Sequence, residues 1–345
     1  MPLISNKREF LARRMRDAGL LRLLERAARR PGLVVLTYHR IGEPGGQPYY
    51  APIWSATPEA FGAQMRRLRD TFRVITLDEA LALADAGFAT REPLALVTFD
   101  DGQRDNVEVA LPILQSLGVP ATFFLPTAWL DAPLLPWWDH VAYVVHTTTA
   151  RVLQLDRPEP IAIDLAQTSR SAAIARLVKA CLDHHVDVND EAGFLAHLDE
   201  RAGLAVDTAA LGRALFMNWS QGRALVAAGM SVGSHAHGHR TLALLPEAEQ
   251  QAELARSKAI LERELGCAVA AVAYPYGWAG TFDATTARLA RAAGYRLGFA
   301  SVEGVNRPGA TDPMAVRRLG VGFADSPVLL RARLALVAAA GRSWL

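Results

Sequence analysis

Short apolar runs alternate with amphipathic segments along most of the chain. GLVVLTY at 32–38 and PLALVTF at 93–99 run almost without polar interruption until charged or glycine-rich residues end them. Runs of this length and boundary read as strands buried on both faces. Between them, 55–72 carries apolar residues at helical spacing, with Thr57 as N-cap and Pro58 in the first turn. A short strand and a helix follow it. Residues 105–119 read as a helix closed by Gly118, and 120–127 as a third core strand. The rhythm breaks over 128–215, which reads as a helical insertion. It resumes with a strand at 225–235, a helix at 245–266, a strand at 268–277, a helix at 283–295 and two late strands, RLGFAS and MAVRRLGV.

Strands that alternate with helices predict an α/β fold, here a distorted (β/α) barrel of about seven parallel strands. The expected divisions are a basic amphipathic helix at 1–30, the barrel at 31–330 with the insertion at about 128–215, and a C-terminal helical tail at 331–345.

Composition changes this picture little. The chain has 345 residues, 51% of them hydrophobic, and a net charge of +2. A sizeable core is expected, and nothing global points to nucleic acid. Charge is uneven, however. Residues 1–30 hold nine Lys/Arg against three Asp/Glu, a net of +6, so the remainder carries −4. Phe10, Leu11, Met15, Leu21 and Leu24 are the apolar positions of this segment. It either packs on the domain with solvated arginines or rests on an anionic membrane surface. No apolar leader run and no stretch of 18 apolar residues is found, so neither a signal peptide nor a membrane span is expected. Cys181 and Cys267 sit in no metal or redox spacing. The expectation is a cytoplasmic protein with peripheral contact at the inner membrane through its basic helix. The sequence leaves the oligomeric state open.

Candidate chemistry gathers where strands end. In LVTFDDGQRDN (96–106), a core strand runs into two adjacent aspartates and a glycine. Like charges this close repel, so a cation or a reaction must account for them. In a (β/α) barrel, reactive groups sit at the C-terminal ends of the strands. His39, the Asp100–Asp101 pair, the SHAHGH loop and AYPYG all fall there. His235 and His239 are four apart, so a helical turn would aim both imidazoles the same way. Two histidines and one of the aspartates make an open metal site. The other aspartate is left to accept a proton. His237 is expected to be exposed or to support the loop.

These residues resemble the polysaccharide deacetylase family, also called the NodB-homology or carbohydrate esterase 4 family. TFDDG, SHAHGH and AYPYG look like its first three motifs. TYHRIG and GVPATFFL are similar to further stretches of its members, and the resemblance spans roughly 33–127 and 225–321. The resemblance implies Asp100 as general base, and Asp101, His235 and His239 as ligands of a divalent metal. The metal the resemblance implies is zinc, with cobalt, nickel or manganese as alternatives. It implies that the Tyr276 N–H helps hold the oxyanion and that Pro275 and Gly277 shape its loop.

The chain departs from the family pattern at three points. Ala236 replaces the usual Ser or Thr after the first His. Ala273 replaces the Arg that orients the base, with Arg317 or Arg318 as candidate replacement. The late motif carries no His, which leaves His39 as candidate proton donor or Asp100 in both roles. Pro275, Arg318 and Trp138 are placed on the substrate side, with Trp137 and Trp138 read alternatively as anchors of the insertion. The implied activity removes an acetyl group from an N-acetylated sugar of a polysaccharide or lipid-linked glycan precursor. An O-acetyl esterase or linear amide hydrolase on the same site, and a non-catalytic glycan-binding protein, are the alternatives.

Overall fold

The computed structural model describes residues 2–27 and 30–341. Met1, Ala28, Arg29 and residues 342–345, parts of the expected N-terminal segment and C-terminal tail, lie outside the described residues.

One sheet organises the larger of two compact units, which comprises residues 1–42, 54–131 and 217–345. Its strands are β1 (Gly32–Tyr38), β2 (Arg73–Val74), β3 (Pro93–Phe99), β4 (Thr122–Leu125), β5 (Ser231–Ser234), β6 (Ala271–Ala273), β7 (Leu297–Phe299) and β8 (Leu319–Gly320). The hydrogen-bonded order is β7-β6-β5-β4-β3-β1-β8, with β2 paired to the first half of β3. All of these pairings are parallel. The seven-strand path curls into a barrel-like wall, as the alternating pattern predicts. The chain after Asp312 then bonds to both of its ends. Val316 bridges Phe299 of β7, while Leu319 pairs with Leu36 of β1.

Strand alternation fills the interior in layers. Leu33, Val35, Leu94, Leu96, Phe124, Ala273 and Phe299 belong to one buried cluster, to which the helix Leu77–Asp85 adds Leu77, Ala80 and Leu81. The opposite faces of β1, β3 and β4 carry Tyr38, Phe99 and Phe123. Their rings stack, with Phe61 of the helix Pro58–Thr71 edge-on to Tyr38 and Phe99. Thr57 caps that helix by accepting the Ala60 N–H, as its position before Pro58 suggests. Continuing the interior register past the last apolar layer brings Thr37 opposite Thr98, bonded at 3.1 Å, and then Asp100. The barrel interior therefore changes from apolar to polar at the C-terminal ends of its strands.

Several elements differ from expectation. Leu225–Ala227 close a helix, Trp219–Ala227, so β5 begins only at Ser231. The 105–119 helix starts with a π-turn over Asn106–Ala110. The second unit, residues 43–53 and 132–216, is not purely helical: Val152–Leu155 and Ile161–Asp164 form an antiparallel hairpin. Leu153, Leu155, Ile161 and Ile163 alternate inward there, a period of two that the surrounding helical pattern hides. The expected tail is the helix Pro327–Ala340, buried along most of its length and held by Arg333 to Glu303 and Asp325. The N-terminal segment is two helices, Pro2–Asp17 and Leu20–Ala27, broken at Gly19 with φ 73°, and both pack on Pro327–Ala340. Among the described residues, no helix is long and apolar enough to cross a membrane.

Asn306 ties the closing segment to β1. Its backbone exchanges both hydrogen bonds with Leu33, and its buried side chain donates to the carbonyls of Leu33 and Arg317 and accepts the Arg317 N–H at 2.9 Å. Asn306→Ala is expected to cost about 2–3 kcal/mol in denaturant unfolding, because buried backbone groups lose their partners. A loss below about 0.5 kcal/mol would show that the closure does not depend on this side chain.

Candidate metal centre

Asp100, Asp101, His235, His239 and Tyr276 come together at the C-terminal ends of β3, β5 and β6. Asp101 Oδ1 lies 3.4 Å from His235 Nε2 and 3.4 Å from His239 Nε2. The donor atoms of the three residues lie within 4.8 Å of one another, and all three residues are buried. Metal–ligand bonds of about 2.1 Å in a tetrahedron separate donors by about 3.4 Å, so the carboxylate-to-imidazole spacing fits an ion with an open fourth position. His235 Nδ1–H donates to the Ala273 carbonyl at 2.7 Å, which leaves Nε2 as the nitrogen that could ligate an ion. Trp129 stacks on the His239 ring, with centroids 4.8 Å apart.

The two histidines do not converge through a helical turn. Residues 235–241 are irregular, and Ala236 (φ 60°) and His239 (φ 55°) occupy the left-handed region. Asp101 (φ 74°) and Tyr276 (φ 61°) do the same, so four of the six non-glycine residues with positive φ among the described residues sit in these three loops. Each costs about 1–2 kcal/mol and persists only where its surroundings hold it. The surroundings are visible. His235 N–H bonds the Leu125 carbonyl, and the Glu253 carboxylate accepts the N–H groups of His237 and Gly238. His237 Nδ1 shares a 2.7 Å bond with the Thr127 hydroxyl, so His237 supports the loop and its ring is not in the donor cluster. Ala236 lacks the usual hydroxyl, and Ser234 Oγ and Glu253 bond the loop's amides instead.

Arg318 resolves the missing motif arginine. Its Nη1 and Nη2 each donate to one Asp100 oxygen at 2.8 Å. Its Nε donates to the Ala300 carbonyl at 3.1 Å. Arg318 is 1% exposed, so its expected place on the substrate side is corrected: it reaches Asp100. Arg317, the other candidate, contacts Asn306 through its backbone. Burial alone would push both carboxyls up. Arg318 outweighs it at Asp100, and the facing imidazoles outweigh it at Asp101, so both are held below the usual carboxylate range. Burial lowers His235, but the two carboxylates more than offset this and hold it above its ordinary value.

The other sequence-predicted residues fall in different places. His39 is half-buried beside this pair. Its carbonyl accepts from Asn106 Nδ2 and its N–H donates to Ser55, which fixes the backbone of its turn. Pro275 is buried, so it shapes the loop and does not face substrate. Gly277 (φ 71°) is required there: a Cβ would lie 2.7 Å from the Ser301 amide nitrogen. Trp138 belongs to the second unit, 5% exposed and edge-on to Trp137 at 5.4 Å. It is an anchor, and a ring that buried cannot stack on a sugar. An exposed aromatic beside the donors is Trp278, 45% accessible and 5.2 Å from the Tyr276 ring, which in turn lies 5.1 Å from His239. Sequence reading missed Trp278, although AYPYGW places it two residues beyond Tyr276. It also missed Glu253, whose helix gives no local sign of the loop it holds.

Comparison with known proteins agrees with this geometry. The sequence profile of the polysaccharide deacetylase family matches residues 88–157 and 194–298, and the chain belongs to that family. YxkH of Bacillus subtilis, a protein assigned to the polysaccharide deacetylases, is 33% identical over 94 residues, covering 27% of this chain and 31% of that one. IcaB from Ammonifex degensii superposes with a TM-score of 0.57 at 23% identity, covering 90% of this chain and 98% of that one. The Streptococcus pyogenes deacetylase PplD, solved with acetate, gives 0.57 at 18% identity over 87% and 96% of the two chains. These structural likenesses establish the barrel fold. His39 and Arg318 lie outside the stretch that the family profile matches.

Arg318→Lys keeps one buried charge but loses the two-pronged contact. The expected result is unchanged metal content with kcat lowered about a hundredfold; an unchanged kcat would contradict the positioning role. A second test concerns Asp105, which accepts from the Ile41 N–H and from Asn106 beside the His39 turn. Burial pushes its carboxyl from 3.8 up to about 7. A raised acid favours the folded state while protonated, so this stability is full below about pH 4 and is lost as pH rises through about 7. Asp105→Asn should flatten that decline in melting temperature, and an identical slope in both proteins would refute it.

Proposed function

We propose that the chain is a metal-dependent deacetylase that hydrolyses the N-acetyl group of a sugar in a polysaccharide or a lipid-linked glycan. The observation that carries this reading is the pairing of three metal-type donors with an adjacent carboxylate clamped by Arg318. Zinc is the expected ion, with cobalt, nickel or manganese able to use the same donors. A divalent ion held by Asp101, His235 and His239 supplies Lewis-acid polarisation of the acetyl carbonyl and a more acidic water.

The chain's own residues do the rest. Asp100, kept ionised by Arg318, accepts a proton from the attacking water as its oxygen bonds to the acetyl carbon. The Tyr276 N–H is assigned to the oxygen on which negative charge develops. When the C–N bond breaks, the sugar nitrogen takes a proton, from His39 or back from Asp100. Acetate and a free amine result. The aromatic series His239, Tyr276 and Trp278 leads outward from the donors, and Trp278 is assigned as the ring on which a neighbouring sugar stacks.

Acetate release from N-acetylglucosamine oligomers, measured together with bound metal, tests this assignment. Asp101→Ala and His235→Ala are expected to lose the metal and the activity together. Asp100→Asn should keep the metal and lose activity by about 10²–10⁴-fold. Trp278→Ala should raise KM with kcat nearly unchanged. Metal retained in Asp101→Ala, or full activity in Asp100→Asn, would overturn the assignment.

A further inference from the structure

The two N-terminal helices present a face that the barrel does not use. Ala12, Met15 and Leu21 are the buried residues, turned toward the helix Pro327–Ala340. Phe10 (59% exposed), Leu11, Leu20 and Leu23 (59%) are accessible. They are four of the eleven large apolar side chains exposed among the described residues, and all four fall within residues 10–23. At 100° per residue, Phe10 and Arg14 lie opposite Ala12 and Met15, and Leu23, Arg22 and Arg26 lie away from Leu21. Arg14 sits over the Phe10 ring at 5.1 Å, which places apolar and basic groups side by side on this face.

The charges are sorted as well. Glu25 turns inward to Arg331 and Arg67, and Glu9 to Ser326 and Arg13. Asp17 pairs with Arg16, so all three acidic residues of the segment are engaged by the body of the protein or by a neighbour on the helix. Lys7, Arg8, Arg14, Arg22 and Arg26 have no carboxylate at ion-pair distance among the described residues. A domain that needed these helices only as a brace would carry polar, charge-balanced residues on their outer side.

We propose that this outer face docks the protein on the surface of a bilayer rich in anionic lipid. Phe10, Leu11, Leu20 and Leu23 enter the headgroup–acyl boundary, and the arginines and Lys7 meet the lipid phosphates. The occupant follows from the pairing of unneutralised positive charge with large apolar side chains, which fits an interface that is negative outside and apolar beneath. Glu9 lies against Ser326, the N-cap of Pro327–Ala340, in the loop that follows β8. That loop leaves the sheet at the strand ends that carry the metal-type donors.

Flotation of the full chain with vesicles tests the proposal without reference to catalysis. The wild type is expected to float with phosphatidylcholine vesicles that contain phosphatidylglycerol. It should remain behind with pure phosphatidylcholine, and its binding should weaken as salt rises. Phe10→Asp with Leu23→Asp, and separately Arg14→Glu with Arg22→Glu, should each lower partitioning at least about tenfold. Both pairs should leave the melting temperature and the release of acetate from soluble oligomers unchanged. No flotation of the wild type, or equal flotation of wild type and both variants, would overturn the proposal. So would a dimer in solution that the same substitutions dissociate, because the face would then belong to a second copy of the chain.

Discussion

A carboxylate with no access to water must be either neutral or paired, and the fate of Asp100 decides what this site can do. Arg318 gives it a partner in the geometry that two carboxylate oxygens and a guanidinium favour. The pair is expensive to bury, and removing either member would leave an uncompensated charge. The other guanidinium donors are also met: Nε donates to the Ala300 carbonyl at 3.1 Å, and Nη1 and Nη2 reach the Thr98 and Ser301 hydroxyls at 3.5 and 3.4 Å. Arg318 reaches this place only because the chain after Asp312 spans from β7 back to β1. Barrel closure and the ionisation of Asp100 are thus linked through one side chain. The basic strength that Asp100 loses to Arg318 is exchanged for certainty that it is an acceptor.

The metal-type donors depend on a different arrangement. Asp101, Ala236, His239 and Tyr276 all adopt a backbone region that disfavours side chains. Together these outliers oppose folding by several kcal/mol. The rigid strand ends and Glu253 hold them, and an ion binding the three donors would add to that support. Strained loops on a regular scaffold let three side chains from two strand ends converge.

Much of this was legible in the sequence because the signals are local. Apolar runs marked β1, β3 and β4, and the strand-end motifs marked the aspartates, the histidines and the Tyr276 loop. Thr57 and Gly118 marked helix ends through capping chemistry. The failures are equally physical. The spacing of His235 and His239 suggested a helical turn, but two left-handed residues produce the same convergence without one. Arg318 was named as one of two adjacent arginines, since only the register of β8 against β1 decides which side chain enters the barrel. Trp138 stayed open between a sugar platform and an anchor of the second unit because exposure cannot be read from an aromatic pair, and Trp278 was overlooked for the same reason. Glu253 acts across sixteen residues of sequence on backbone amides, and no pattern announces such a contact. The hairpin of the second unit was hidden by its shortness, four residues per strand within helical surroundings.

The central claim is that Asp101, His235 and His239 hold one divalent ion beside the Asp100–Arg318 pair. Crystals of the zinc-loaded protein, measured on both sides of the zinc absorption edge, address it directly. The account predicts a single anomalous peak per chain, about 2.0–2.2 Å from Asp101 Oδ1, His235 Nε2 and His239 Nε2, with Arg318 still on Asp100. A peak bound elsewhere, or no peak at these three donors at saturating zinc, would contradict it.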